Sequence, residues 1–159
     1  MAESTIVTVP RDGTIKITNG DATTYTVSYE SGDFSANLDL AERIVVYDRT
    51  AIVGLRAGND PVPSISFSVH MRELMNASAN TLLDFIYGTH GSAATSVGGT
   101  GFEQFLCTVE FEKSTTALSG SNTKATFNKV LLTASISEGQ PDVINVTGEV
   151  YGSIVRASF

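Results

Sequence analysis

Strict alternation of apolar and polar residues constrains this chain more than any other feature. In Ser64-Ile65-Ser66-Phe67-Ser68-Val69-His70-Met71, the residues Ile65, Phe67, Val69 and Met71 are apolar, while Ser66, Ser68 and His70 are polar. Successive side chains of an extended strand point to opposite faces, so a period of two demands a strand with one buried face. The pattern recurs from end to end. Thr14-Ile15-Lys16-Ile17-Thr18 alternates, Asn19-Gly20-Asp21 turns the chain, and Thr23 to Tyr29 alternates again with Tyr25, Val27 and Tyr29 on one face. Two alternating runs joined by Asn-Gly predict a hairpin. Phe102 to Lys113 predicts a long strand with Phe105, Cys107, Val109 and Phe111 on one face and Gln104, Leu106, Thr108, Glu110 and Glu112 on the other.

The last third predicts a second hairpin. A strand through Phe127–Ala134 precedes a turn at Ser137-Glu138-Gly139-Gln140-Pro141-Asp142, and Val143 to Gly152 follows. The chain stays strand-like to Phe159, as expected of a terminus tied into a sheet. Thr5–Val9 is a short β-branched run stopped by Pro10, and residues 1–10 are expected to form an N-terminal arm. Glu42 to Val46 predicts a strand, and 47–63 a long connection that carries apolar residues and ends in Pro61-Val62-Pro63. Only one segment changes period. Leu82, Leu83, Phe85 and Ile86 fit a helical face over about 79–87, with Ser78 or Asn80 as the cap and Gly88 as the stop.

These elements predict one domain over residues 1–159: mainly β, an antiparallel two-sheet sandwich or half-barrel with one short helix. At 159 residues the chain can bury a core without a disulfide or metal. Charged residues make up 17%, below the roughly 25% usual for soluble domains, which suits a surface covered by partners but also an ordinary sandwich. The net charge of −7 disfavours a nucleic-acid binder, which needs a basic footprint. It suits a wall that must not grip a passing polyanion. Met1-Ala2-Glu3-Ser4 lacks the basic and apolar regions of a secretory signal, and no apolar run is long enough to span a bilayer as a helix. Synthesis in a cytoplasm is the expectation.

Signatures of chemistry are lacking. His70 and His90 lie on different elements, with no second ligand at metal spacing. Asp33-x-Ser35-x-Asn37-x-Asp39 starts like a calcium loop, but Leu38 stands where the turn glycine belongs and Ile44 where the bidentate glutamate belongs. Gly98-Gly99-Thr100-Gly101 has no following Lys-Ser/Thr and opens no helix, so it is not a phosphate cradle. No Gly-x-Ser-x-Gly elbow occurs. Glu110 and Glu112 read as one polar strand face rather than a glycosidase pair. Cys107, the only cysteine, reads as a small buried hydrophobe. No catalytic residue, cofactor site or metal site is expected, and the chain is not expected to be an enzyme.

The order of elements resembles phage tail tube proteins, a superfamily that includes the tubes of contractile injection and type VI secretion devices. The resemblance covers most of the chain. It rests on the early meander, the 47–63 connection, the helix Asn80-Thr81-Leu82-Leu83-Asp84-Phe85-Ile86-Tyr87, the Phe102–Lys113 strand and the carboxyl hairpin Thr126–Tyr151. It implies a subunit of two packed sheets that closes into hexameric rings, whose inner sheets join as one continuous barrel around a lumen. Stacked rings would make a virion tail tube through which DNA passes without sequence-specific binding. The tube would be assembled in the bacterial host cytoplasm. The implied partners are further copies of the chain and tape-measure, tail-terminator, baseplate or tip, and sheath proteins. Candidates for the lumen or outer wall are Thr108, Glu110, Glu112, Asn145, Thr147 and Glu149. In the 47–63 connection, Arg49, Ile52, Val53, Leu55 and Arg56 are candidates for contacts between subunits, or else fold back on their own core. A tube of an injection or secretion device and a glycan- or host-binding sandwich remain the alternatives.

Overall fold

The computed structural model describes residues 13–20, 22–27, 33–38, 42–71, 81–87, 106–114 and 122–159. The strands are β1 (Gly13–Thr18), β2 (Thr24–Val27), β3 (Ser35–Asn37), β4 (Arg43–Asp48), β5 (Ala51–Ala57) and β6 (Ser64–His70), followed after helix α1 (Leu82–Tyr87) by β7 (Cys107–Lys113), β8 (Thr123–Ser137), β9 (Val143–Val150) and β10 (Ile154–Ser158). All pairings are antiparallel. They follow the path β2-β1-β7-β8-β9-β6-β3, with β10 also on β8 and with β4–β5 as a separate two-stranded sheet. The expected N-terminal arm, the run Thr5–Val9, the glycine-rich stretch at 98–101 and the caps Ser78 and Asn80 lie outside the described residues.

The path folds into a sandwich because β8 belongs to both layers. Residues Thr123–Phe127 pair with β7 on one side and β10 on the other, whereas Val130–Ser137 pair with β9. The change falls at Asn128-Lys129. There Lys129 takes φ 54°, a left-handed conformation that lysine adopts only under constraint. Inward parity changes as well. Phe127 is buried before the break, and Val130 and Leu132 after it. An extra residue in a strand has this effect: the local twist increases and every later side chain changes face. The partner strand matches the break. Between Val150↔Val130 and Ile154↔Phe127, three residues (Tyr151, Gly152, Ser153) face two. The Gly152 N–H donates to the Asn128 carbonyl at 3.0 Å and the Tyr151 N–H to that of Lys129 at 3.0 Å. A Cβ on Gly152 would lie 2.5 Å from the Asn128 carbonyl oxygen, so only glycine fits.

The core lies between the layers. Ile15, Ile17, Val27, Cys107, Val109 and Phe127 meet Ile65, Phe67, Val69, Ile144, Val146 and Val150. Phe34 sits across the seam, 4.3 Å from Phe111, 5.9 Å from Phe127 and 6.5 Å from Phe67 between ring centroids. Helix α1 buries Leu82, Phe85 and Ile86, the i, i+3, i+4 face expected from the sequence. Thr81 takes the cap position, its N–H and hydroxyl both donating to the Asp84 carboxylate at 2.9 and 2.8 Å. The fold is thus the antiparallel two-sheet arrangement with one short helix that the alternation predicts.

The segment 47–63 differs from expectation. Its first half is no connection but the tip and return strand of a hairpin, with Val45↔Leu55 and Tyr47↔Ile52 as cross-strand pairs and an irregularity between Val46 and Tyr47. The reversal is made by Arg49 at φ 46° and Thr50 at φ 80°. Positive φ at both central residues is the type I′ two-residue hairpin turn, which Asn-Gly adopts readily and Arg-Thr does not. The sequence therefore carries no turn signal there.

Candidate functional site

The six candidate wall residues fall on the two different layers of the folded sheet. Thr108, Glu110 and Glu112 belong to β7, on the face of the β1–β7–β8 layer turned away from the core. That face neutralises itself. The Lys16 ammonium lies 2.8 Å from Glu112, and the Lys124 ammonium 2.8 Å from Glu110. Glu110 also accepts from the Thr126 hydroxyl at 3.1 Å. Glu112 is only 8% exposed, so it acts as half of a covered ion pair and not as a free carboxylate on a wall. Leu106 has the parity of this polar face yet is buried. The register shifts just beyond it, between Cys107 and Val109.

The Lys124 hydrogen bond, with help from Thr126, holds the Glu110 carboxyl below its usual value. The same pairing raises the Lys124 ammonium. A depressed folded-state value adds stability above the unfolded carboxyl value of about 4.3, and that stability is lost as pH falls through the folded value. The pair is solvent-screened, so its contribution to stability is small. Glu110→Gln is therefore expected to unfold more easily than the parent at pH 7, with the gap narrowing as pH falls towards 3. Thermal melts at the two pH values check this; a constant gap would place the effect outside the ionisation of Glu110.

Asn145, Thr147 and Glu149 are exposed on β9, on the outer face of the other layer. Their neighbours are uncharged and, Leu131 apart, carry hydroxyls. Asn145 faces Ser68 and Ser135, Thr147 faces Ser66 and Thr133, and Glu149 faces Ser64 and Leu131. Ser35 and Asn37 extend the rows onto β3. The Thr133 and Thr147 hydroxyls bond at 2.7 Å, and Asn145 donates to the Ser137 hydroxyl at 3.4 Å. Asp33 accepts from the Ser68 N–H at 3.1 Å and from its hydroxyl, so the stretch that starts like a calcium loop serves to close this sheet's edge. The Tyr151 phenol donates to Glu149, and that bond raises the tyrosine above its usual value. The outer faces of β3, β6, β9 and the far half of β8 thus form a carpet mainly of hydroxyls and amides, interrupted by Leu131, Glu149 and His70, without a lysine or arginine.

The third group stands apart. Tyr47, Ile52, Val53 and Leu55 are 63%, 68%, 60% and 64% exposed. Both strands of the hairpin make their contacts chiefly with each other, so these residues do not fold back on the core. A two-stranded hairpin is marginal on its own in water, and contiguous exposed apolar surface is unusual on a monomeric domain. Arg49 at the turn and Arg56 on β5 lie on the same hairpin.

Among the described residues no constellation for bond chemistry is assembled. Among the described residues no three His, Cys, Asp or Glu side chains gather as a metal site. Burial pushes the Cys107 thiol up to about 11, which disfavours the reactive thiolate. An open groove of about 460 Å³ beside β8 and β10 is lined by Phe111, Ala125 and Ala157 and edged by Lys113, Lys124 and Arg156, with neither a carboxylate nor a nucleophile pair. Among the described residues, no helix is long and apolar enough to cross a membrane.

No protein-family model and no curated protein sequence matches the chain. Solved structures do share its fold. A chain of the PVC sheath–tube complex, an extracellular contractile injection system in its extended state, aligns with a TM-score of 0.57 at 13% identity, covering 95% of this chain and 92% of that one. A chain of the anti-feeding prophage cap, described as the AFP tube-terminating cap, gives 0.57 at 15% identity over 100% and 97%. A chain of the PVC sheath/tube terminator, again extended, gives 0.55 at 14% identity over 90% and 92%. The resemblance read from the sequence therefore holds for the fold, which is one found in contractile injection assemblies.

Proposed function

We propose that this chain is a structural tube subunit that assembles as stacked hexameric rings into a hollow conduit. The observation that carries the reading is the bare apolar hairpin on a fold shared with tube, terminator and cap assemblies. An exposed ribbon of this kind acquires a partner when copies associate, and a head-to-tail contact propagates into a filament. In this reading the hydroxyl face bearing Asn145, Thr147 and Glu149 lines the lumen. It offers a passing chain neither cations to grip nor apolar patches to bind. The face with Thr108, Glu110 and Glu112 has its charges already paired and belongs to the outer wall.

As a phage tail tube it would pass DNA, which a lumen face without lysine or arginine lets slide. The tube of a contractile injection device is the second reading, favoured by the assemblies in which the fold recurs. Further partners in either case would be a terminator, a sheath, a tape-measure and a baseplate or tip.

Negative-stain electron microscopy of the purified chain over a concentration series tests the proposal. Rings or hollow tubes with a central channel are expected. A chain that stays monomeric at every concentration, and also with an added tail-tip complex, would favour the glycan- or host-binding sandwich instead.

A further inference from the structure

We propose that the β4–β5 hairpin of one copy docks on the β8–β9 turn of the next copy. The inference rests on the tube reading and adds the acceptor surface to it. Placement in the four-stranded layer is the first argument. The hairpin lies between β3 and β6 in the chain, so it leaves the layer where Asn37 pairs with Ser64. The β8–β9 turn closes the opposite end, beyond His70↔Val143 and Ser137↔Val143. The seven residues of β6 hold these ends about 20 Å apart. A contact between opposite ends joins unlike surfaces, and so closes a ring or extends a filament. A contact between like ends would stop at a dimer.

Charge is the second argument. Residues 43–57 carry three arginines (Arg43, Arg49, Arg56) against one carboxylate (Asp48), net +2 in a chain of −7. The turn carries Glu138 and Asp142, and from Val130 to Val155 there is no lysine or arginine. Complementary potentials of this kind set register and reject wrong pairings. Apolar surface is the third argument. Ile136, just before the turn, lies on the inward parity of β8 but is 52% exposed, which gives Ile52 and Leu55 an apolar counterpart. Asp142 is committed to the turn itself, since its carboxylate accepts from the Gly139 N–H at 2.8 Å. Glu138 has no such duty in the turn and is the residue to reverse.

The test uses the full chain in three variants, Glu138→Lys, Arg49→Glu and the two combined, with thermal melts to show that each monomer is folded. Assembly is followed by sedimentation and negative stain. Each single reversal is expected to raise the concentration needed for assembly at least about tenfold, and the combined variant to bring it back towards the parent. Parent-like assembly by both single variants, or a combined variant no better than the worse single one, overturns the proposed acceptor while parent tubes leave the tube reading intact. A parent chain that never assembles overturns both.

Discussion

Leu55→Asp is expected to abolish assembly and leave the monomer folded. Leu55 is 64% exposed, its cross-strand partner is Val45, and it stands outside the core. A surface substitution of that kind changes monomer stability by about 0.5 kcal/mol or less. In an assembled contact the same aspartate would lose its water without gaining a partner. An uncompensated buried charge costs about 3–5 kcal/mol, more than a hundredfold in each contact's equilibrium constant. Sedimentation velocity should show only monomers at concentrations where the parent assembles, with the circular dichroism spectrum unchanged. If the variant unfolds instead, the leucine belongs to the fold of its own subunit and the hairpin is not a docking element.

Phe127→Ala should have the largest effect on the fold itself, a loss of about 3–5 kcal/mol. Phe127 is 2% exposed and is the last inward residue of β8 before the strand changes layers. It faces Val109 on one side and Ile154 on the other, and Phe34 lies against its ring. Collapse around the vacated space is hindered, because the backbone beside it is pinned by the Asn128–Gly152 and Asn128–Ser153 bonds. A domain's whole stability is about 5–15 kcal/mol, so a loss of this size removes a large share. The urea midpoint should fall by about 2 M at the slopes usual for small proteins. A fall below about 0.5 M would mean that the aromatic seam contributes little to holding the layers together.

What could be read from the sequence divides by the range of the signal. Asn19-Gly20 announces the β1–β2 hairpin because its turn chemistry is local, and Ile65, Phe67 and Val69 declare the buried face of β6 by parity alone. The β4–β5 hairpin escaped because Arg49 and Thr50 hold a conformation that neither residue prefers. The bend in β8 escaped for the same reason at Lys129; its only trace in the sequence is the change of apolar parity between Phe127 and Val130. For the candidate wall, parity correctly grouped Thr108 with Glu110 and Asn145 with Thr147. It could not show that the two groups occupy separate layers, nor that Lys16 and Lys124 come from other strands to pair with the glutamates. Those are long-range facts, set by which strands become neighbours.

Sharing β8 between the layers also governs how the domain comes apart. Separating one sheet from the other would strip β8 of hydrogen bonds to β7, β9 or β10 and expose the phenylalanine cluster in the same event. Neither layer keeps a complete set of backbone partners without the other. Partial opening is thereby confined to elements that hang outside this arrangement, above all β4–β5, whereas amide protons along β8 exchange only when the entire sandwich opens. The fold thus pairs a body expected to yield all at once with a hairpin that can open by itself.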